Sequence, residues 1–478
     1  MATTREQADA YAYENRRRTT SLFRGADEAI LDPRRRLNRA LAGGTAIAVL
    51  IMAGFGIAGW LGGGRGPALP TAGAVVVGGD GDSYVVSDGT VHPALNLSSA
   101  LLVGGGTITK VRQATLDAAP RGLPVGIPGA PDALPSTNQL LDGEWTLCVT
   151  PTETGGRPTE TVMYVSVPGV APGAGATGAT VLARTDDGGL WLLTEGRRYS
   201  LTEAVRDLLG LQRVDPVELP REIVATVPEG PEIALPRPGD AEREPRVDLP
   251  FPAEVGDLAH TGTGGTNPQY YLVRPDGLVP VSPLVHALLG ATAAADHELG
   301  GPQGAAAPRS QEPAPGDEAW PDALPEAAEP GRDQPVCVST PPGSQPGDAP
   351  WQATVHLPDT MPEPAGLAPV RSANGDRLGL LDAVYLPTGA GAVVLATTSG
   401  GAGGTHTLIT DAGVAYRFAS PEAVQRLRYV PEDAPSMPRA FVDLLPRGPV
   451  LDPRAAAQEQ HAPTADEEAD GDEEEVAP

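Results

Sequence analysis

The sequence predicts an α+β chain with a short cytoplasmic helical arm, a single transmembrane helix and an elongated extracytoplasmic segment. In that outer segment, four small strand–turn–strand–helix repeats surround a mostly β central domain closed by one disulfide. Three observations carry this prediction. Residues 40–61 run for 22 positions without a charge. Four windows beyond them share one pattern of strand, turn, strand and capped helix. Two cysteines, Cys148 and Cys337, sit in matching strand-like contexts.

Residues 1–39 form the basic arm. Thr4 followed by Gln7 is a capping-box spacing that opens a helix. Ala8, Tyr11 and Ala12, then Leu22, Phe23, Ala26 and Ile30, draw an apolar stripe among arginines. Asp32-Pro33 is expected to break that helix, because the residue before a proline is pushed out of the α region. Two readings stay open: an amphipathic helix lying on the inner leaflet or docked to a partner, or an arginine cluster that serves only to orient the chain.

Residues 40–61 meet the requirement of about 20 apolar residues for a helix that crosses a bilayer. Nine arginines and six acids precede the run, with Arg34, Arg35, Arg36 and Arg39 close to it, whereas only Arg65 is near on the far side. Positive residues stay inside, so the N-terminus is expected in the cytoplasm and residues 62–478 outside the plasma membrane, a single-pass topology. A cleaved signal peptide would carry a shorter apolar core of about 7–15 residues nearer the N-terminus. Small residues spread along the run, with Gly56 and Gly59 on the expected packing face, allow a second helix to approach closely.

The outer segment holds 25 basic residues against 55 acids, a formal charge near −30. Such a surface repels nucleic acid and anionic lipid headgroups, so neither is expected as a partner beyond the anchor. Both cysteines are in this segment. An even count in an oxidising compartment favours a Cys148–Cys337 disulfide over two separate buried thiols.

The four windows are 84–103, 191–210, 271–290 and 408–427. Each begins with an apolar or aromatic strand and continues into an acid–glycine turn: Asp88-Gly89, Glu195-Gly196, Asp276-Gly277 and Asp411-Ala412-Gly413. Asp-Gly supplies the positive φ angles of a tight hairpin. Asn96, Thr202, Ser282 and Ser420 are then placed as helix N-caps, with Pro283 and Pro421 at the first helical position. The units are expected at 66–118, 181–215, 256–298 and 385–450. LPTAGAVVV (69–77) resembles LPTGAGAVV (386–394), so the first and last units are the nearest relatives. The central domain is expected as two related halves, 119–180 and 336–384, joined by the disulfide near a pseudo-two-fold axis. The Pro/Ala-rich acidic insert 299–335 and the acidic tail 453–478 have too few apolar residues to fold alone.

No pattern for catalysis emerges. GGGTITK (104–110) lacks the Gly-Lys-Ser/Thr end of a phosphate loop. There is no HExxH or GxSxG, and His92, His260, His286, His297, His356, His406 and His461 are scattered. DGDS (80–83) reads as a turn rather than a calcium loop. The glycine runs 62–64 and 400–404 read as linker and turn. No catalytic, cofactor or metal residue is assigned.

The arm motifs REQADAYAYENRRR (5–18), LFRG (22–25), DPRRR (32–36) and RALAGG (39–44) stand ahead of one anchor, four units and a two-cysteine domain. In that order they resemble EccB, a membrane component of the type VII (ESX-type) secretion systems of actinobacteria. The resemblance covers residues 1 to about 450; the insert and tail depart from it. It implies a scaffold that assembles with EccC, EccD and EccE, dimerises or oligomerises through its outer parts, and contacts the cell wall through units similar to a phage endolysin's cell-wall-binding domain; from the missing motifs, no enzymatic activity is expected. Nucleotide hydrolysis has been proposed for relatives, and the missing phosphate loop gives it no support here. The alternative of another class is a stand-alone cell-wall-binding or signalling ectodomain on a single-pass anchor.

Overall fold

A computed structural model describes residues 3–24, 33–61, 69, 74–77, 82–151, 160–172, 178–236, 244–262, 268–331, 333–343, 351–371, 380–398 and 403–460. The chain divides into two units, Met1–Ala68 and Leu69–Pro478.

The first unit is helical. Helix α1 spans Thr4–Arg24. Its start is capped one residue earlier than Thr4 and Gln7 predict: the N–H and Oγ1 of Thr3 both donate to Glu6 Oε2, at 2.9 and 3.1 Å. A carboxylate is a stronger acceptor than an amide and suits the positive end of the helix dipole, so Thr3-x-x-Glu6 takes the role. Tyr11 and Leu22 of the apolar stripe are exposed; Ala26, Ile30 and the predicted break at Asp32 lie outside the described residues. Helix α2 spans Pro33–Leu61, 29 residues or roughly 43 Å. Proline opens it at a position whose N–H has no intrahelical partner. Arg34, Arg35, Arg36 and Arg39 therefore ride on the first two turns of the same helix as the apolar run, which itself begins only at residue 40.

The second unit is built from sheets. Strands β1 (Ala74–Val77), β2 (Ser83–Ser87) and β3 (Thr90–Pro93) form an antiparallel meander. Helix α3 (Leu97–Gly104) leads back to β4 (Ile108–Lys110), which lies parallel to β1, and the short helix α4 (Gln113–Asp117) follows. After the central strands β5 (Trp145–Thr150) and β6 (Glu160–Val165), the same plan recurs. Strands β7 (Val181–Thr185), β8 (Leu190–Thr194) and β9 (Arg197–Leu201) lead to α5 (Glu203–Leu208), β10 (Val217–Leu219) and α6 (Arg221–Val224). Strands β11 (Leu258–Thr261), β12 (Gln269–Arg274) and β13 (Gly277–Val281) lead to α7 (Pro283–Leu289), β14 (Asp296–Leu299) and α8 (Gly301–Ala306). The central sheet resumes with β15 (Val336–Thr340), β16 (Thr354–His356) and β17 (Ala383–Tyr385). Last come β18 (Ala392–Thr397), β19 (Gly404–Ile409), β20 (Ala415–Arg417), α9 (Pro421–Arg426), β21 (Ser436–Pro438), α10 (Arg439–Val442) and α11 (Pro453–Ala456).

Among the described residues, four four-stranded sheets thus share one strand order, third–second–first–fourth, with the fourth parallel to the first. The predicted windows begin on the second strand of each sheet. The first and fourth strands lie outside them, and the expected boundaries at 118, 215, 298 and 450 fall short. β10 starts past 215, segments near 121, 229 and 309 pair in parallel with β3, β9 and β13, and Leu451 pairs in parallel with Phe418 just after β20.

The fifth sheet has the order β16-β15-β5-β6-β17. One face packs Trp145, Leu147, Val149, Met163, Val336 and Val338 into a core shared with the sheets on either side. Val85 of the first sheet, with Leu101 and Leu102 of α3, joins Leu408 of the last sheet, Phe418 just after β20 and Leu427 at the end of α9 in a second core. Leu182, Val205 and Leu209 join Leu258, Leu284 and Leu288 in a third.

Two segments expected not to fold do so in part. In 299–335, Leu278 donates to Pro308 O, Ser310 donates to Leu278 O, and Ala328 donates to Thr180 O. Its backbone is satisfied by existing sheet edges, so it does not need its own core. In the tail, Asp452 caps α11 and Ala456 is fully buried in the core with α3. Residues 461–478 lie outside the described residues, as do DGDS residues 80 and 81 and the runs 62–64 and 400–402.

Candidate functional site: an apolar helix, a bridged sheet and a histidine cluster

Helix α2 carries a window, Arg39–Ile57, with a mean hydropathy of 2.0, long and apolar enough to cross a membrane. Its large side chains are uncovered: Leu41, Ile47, Leu50, Met52 and Phe55 are each more than half exposed. A Cβ added at Gly43, Gly44, Gly54 or Gly56 meets nothing within 4 Å, so these positions are open grooves along the helix. Gly59 belongs to the same helix, but its surroundings, like the side chains of Arg34, Arg35 and Arg36, lie outside the described residues.

Cys148 and Cys337 are joined in a disulfide. They stand directly opposite each other on β5, the middle strand of the central sheet, and its neighbour β15. On this face Tyr164 and Tyr385 stack at 5.0 Å, and the Tyr164 hydroxyl donates to Pro362 O at 2.6 Å. Burial, with Tyr385 beside it, pushes the Tyr164 phenol far above its ordinary range, so it acts as a fixed neutral donor. On β16, opposite Cys337, His356 has both ring nitrogens buried without a hydrogen-bond partner. With both sulfurs bridged, neither cysteine offers a thiolate.

Residues 104–110, the nearest approach to a phosphate loop, form a helix end of the wrong polarity. Gly105 is the C-cap of α3 at φ 67°, with its N–H on Leu101 O, and the chain then enters β4. Phosphates are held at helix N-termini, where free N–H groups point outward.

The sequence treats the histidines as scattered, yet the fold gathers two of them with an aspartate. Parallel pairing sets Leu258 opposite Asp296 and His260 opposite Glu298 on β11 and β14, so His260 and Asp296 are diagonal neighbours on one face. Helix α7 adds His286. His260 Nδ1 lies 2.9 Å from Asp296 Oδ1. His286 Nε2 lies 3.2 Å from Asp296 Oδ2, but off the line of an N–H···O bond, and is buried without a hydrogen-bond partner. Tyr270 packs against the His286 ring at 4.5 Å. Burial lowers the His286 pKa against the opposing pull of Asp296, which favours the neutral imidazole. Among the described residues this is the one group of three or more His, Cys, Asp or Glu whose donor atoms could share a metal ion. No local spacing announces it, since His260 and Asp296 stand 36 residues apart. Of the other histidines, His297 pairs with Asp257, His92 with Leu123 O and His406 with Pro431 O, while His461 is outside the described residues.

Comparison with known proteins places these features. The family model described as type VII secretion system ESX-1, transport TM domain B, matches residues 1–464. The chain is 28% identical to the ESX-1 secretion system ATPase EccB1 of Mycolicibacterium smegmatis, over 97% of this chain and 96% of that one. It is 31% identical to the ESX-3 secretion system ATPase EccB3 of the same species over 60% of this chain, and that match spans 57% of the relative's length. The fold is similar to a chain of an intact ESX-5 inner membrane complex, with a TM-score of 0.63, 24% identity and 97% of both chains covered. It is also similar to a chain of the EccB3 dimer from the ESX-3 core complex, with a TM-score of 0.63, 26% identity, and 80% of this chain and 100% of that chain covered. With an apolar helix near its start, a bridged central sheet and a family match over nearly its whole length, the chain belongs to the EccB family of type VII secretion systems.

Proposed function

We propose that this chain is a membrane-anchored structural scaffold of a type VII secretion complex. Helix α2 holds it in the plasma membrane, and Leu69–Pro478 mediates dimerisation and assembly with other membrane components, of the EccC, EccD and EccE type. The observation that carries this reading is the likeness, over 100% of that chain, to a protomer of the EccB3 dimer of the ESX-3 core complex. The arginines at 34, 35, 36 and 39 support a cytoplasmic N-terminus and an outer Leu69–Pro478. The open position at Gly56 supports it as a contact for a neighbouring helix, and Gly59, three residues on along the same helix, is proposed with it from the sequence. Solubilising the native membrane in mild detergent and purifying the full chain tests the scaffold reading. Co-purification with an FtsK-like ATPase and further membrane components supports it. A chain that purifies alone supports the stand-alone cell-wall-binding or signalling alternative instead.

We further read the four like-ordered sheets as copies of one unit. Beyond strand order, each has an N-capped helix after its third strand and a second short helix after its fourth. Each then sends an extended segment back along the third strand, 30 to 32 residues downstream: 91 to 121, 198 to 229, 278 to 309 and 415 to 447. These segments read Pro-Arg-Gly, Pro-Glu-Gly, Pro-Arg-Ser and Pro-Arg-Gly. In three of them a Cβ on the glycine (Gly122, Gly230, Gly448) would run into a third-strand ring, His92, Tyr199 and Tyr416. The local two-fold of the β5–β15 pair, with the cysteines in register, supports a pseudo-two-fold at the disulfide. Two relatives bear the name ATPase. No catalytic residue is assigned here, and a hydrolysis assay on the purified full chain tests that second reading directly.

A further inference from the structure

We propose that the sheet β13-β12-β11-β14 carries a binding site for a zinc-type divalent transition-metal ion, ligated by His260, His286 and Asp296. One donor atom from each of the three lies within 4.8 Å of the others. In a tetrahedral zinc site with bonds near 2.0–2.2 Å, neighbouring donors stand roughly 3.4 Å apart. His260 Nδ1 stands 2.9 Å from Asp296 Oδ1 and His286 Nε2 stands 3.2 Å from Asp296 Oδ2, so the two carboxylate oxygens each face one imidazole, and closure on a shared ion needs a rotation of the imidazoles toward each other and a slight widening at His260. Two imidazoles with one carboxylate suit zinc, cobalt or nickel rather than calcium or magnesium, which prefer all-oxygen shells.

Three further observations point the same way. His286 Nε2 is a buried ring nitrogen with no hydrogen bond, aimed at the carboxylate of Asp296. A cation between them gives that lone pair a partner. The ligands come from rigid elements: His260 and Asp296 from adjacent parallel strands, and His286 from the helix packed on them, with its ring held by Tyr270. The two histidines are mostly buried, at 18% and 16% side-chain exposure, whereas Asp296 is 40% exposed. The site is thus walled on one side and open on the other, which leaves a path for the ion and a fourth position for water. The bound ion would clip α7 to β11 and β14.

The test uses the untagged full chain in mild detergent, stripped with a chelator and titrated with Co(II) at pH 7.5. The expected result is one equivalent bound, with the intense visible absorption of tetrahedral cobalt, displaced by Zn(II). His260→Gln and His286→Gln are expected to weaken binding at least about tenfold, while His297→Gln, on the neighbouring position of β14, leaves it unchanged. Asp296→Asn, a half-exposed and conservative change, provides the third arm should a histidine variant not fold. Absence of stoichiometric Co(II) or Zn(II) binding by the wild-type chain overturns the proposal. So does undiminished binding in the His260, His286 and Asp296 variants, which would place the ion elsewhere on this acidic chain.

Discussion

Cys148 and Cys337 close a stretch of 189 residues that contains two complete four-stranded sheets. In the chain-entropy view, a closure of that length restricts the unfolded ensemble by about 5 kcal/mol, and measured values commonly fall lower. Cys148→Ala is expected to lower the thermal unfolding midpoint of Leu69–Pro478, and added reductant should bring the wild-type chain to the same value. Equal midpoints with and without reductant would contradict a stabilising bridge. Beside it, burial pulls His356 below its ordinary pKa. Here the unfolded chain takes the proton first. Stability is therefore full above about pH 6.5, the unfolded value, and declines as the pH falls through it toward the lower folded value. Midpoints measured from pH 7.5 to 5 should show this decline, and His356→Gln should flatten it. At this scale much was legible. Asn96, Thr202, Ser282 and Ser420 each accept a hydrogen bond from the backbone N–H three residues on, as their chemistry predicts. The histidine cluster was not, because its members meet only through the parallel register of β11 and β14.

Each four-stranded sheet depends on close backbone passage at its third strand. Gly277 opens β13 at φ 139° and sits against the carbonyl of Pro308, so a side chain there faces both backbone strain and a clash. Gly277→Ala is expected to destabilise the protein by about 1–3 kcal/mol, read from denaturant unfolding of the full chain. An unchanged midpoint would mean that the segment near 309 is free to move away. The hairpin turns explain what sequence could reach at this scale. Asp88-Gly89 and Glu195-Gly196 have positive φ at both positions, the geometry their residue types announce. Asp276-Gly277 departs from them, with positive φ at the glycine alone. The fourth strands were out of reach for a physical reason. ITK, VEL, DHEL and SMP are only three or four residues long, too short to establish a period of their own, and each lies against the edge that a first strand offers. The same holds for the 299–335 segment, whose order comes from its hydrogen bonds to Leu278 and Thr180 rather than from its composition.

For the molecule as a whole, the apolar helix and the sheets have different solvents. The large side chains of α2 stay uncovered, which is unfavourable in water and favourable in a bilayer or against another apolar helix. Leu69–Pro478 buries its apolar residues in cores that run from sheet to sheet. The proposed scaffold reading joins the two: one element held by lipid and neighbouring helices, the other self-sufficient and available for assembly. Helix packing then becomes separable from folding. Gly56→Leu with Gly59→Leu is expected to leave membrane insertion intact, judged by alkaline extraction, while reducing the recovery of co-purifying membrane components several-fold. The most direct measurement is the native mass of the full wild-type chain after mild detergent extraction from its own membrane. The scaffold account predicts a particle containing at least two copies of this chain together with other membrane subunits. A particle with the mass of a single copy in detergent would contradict it.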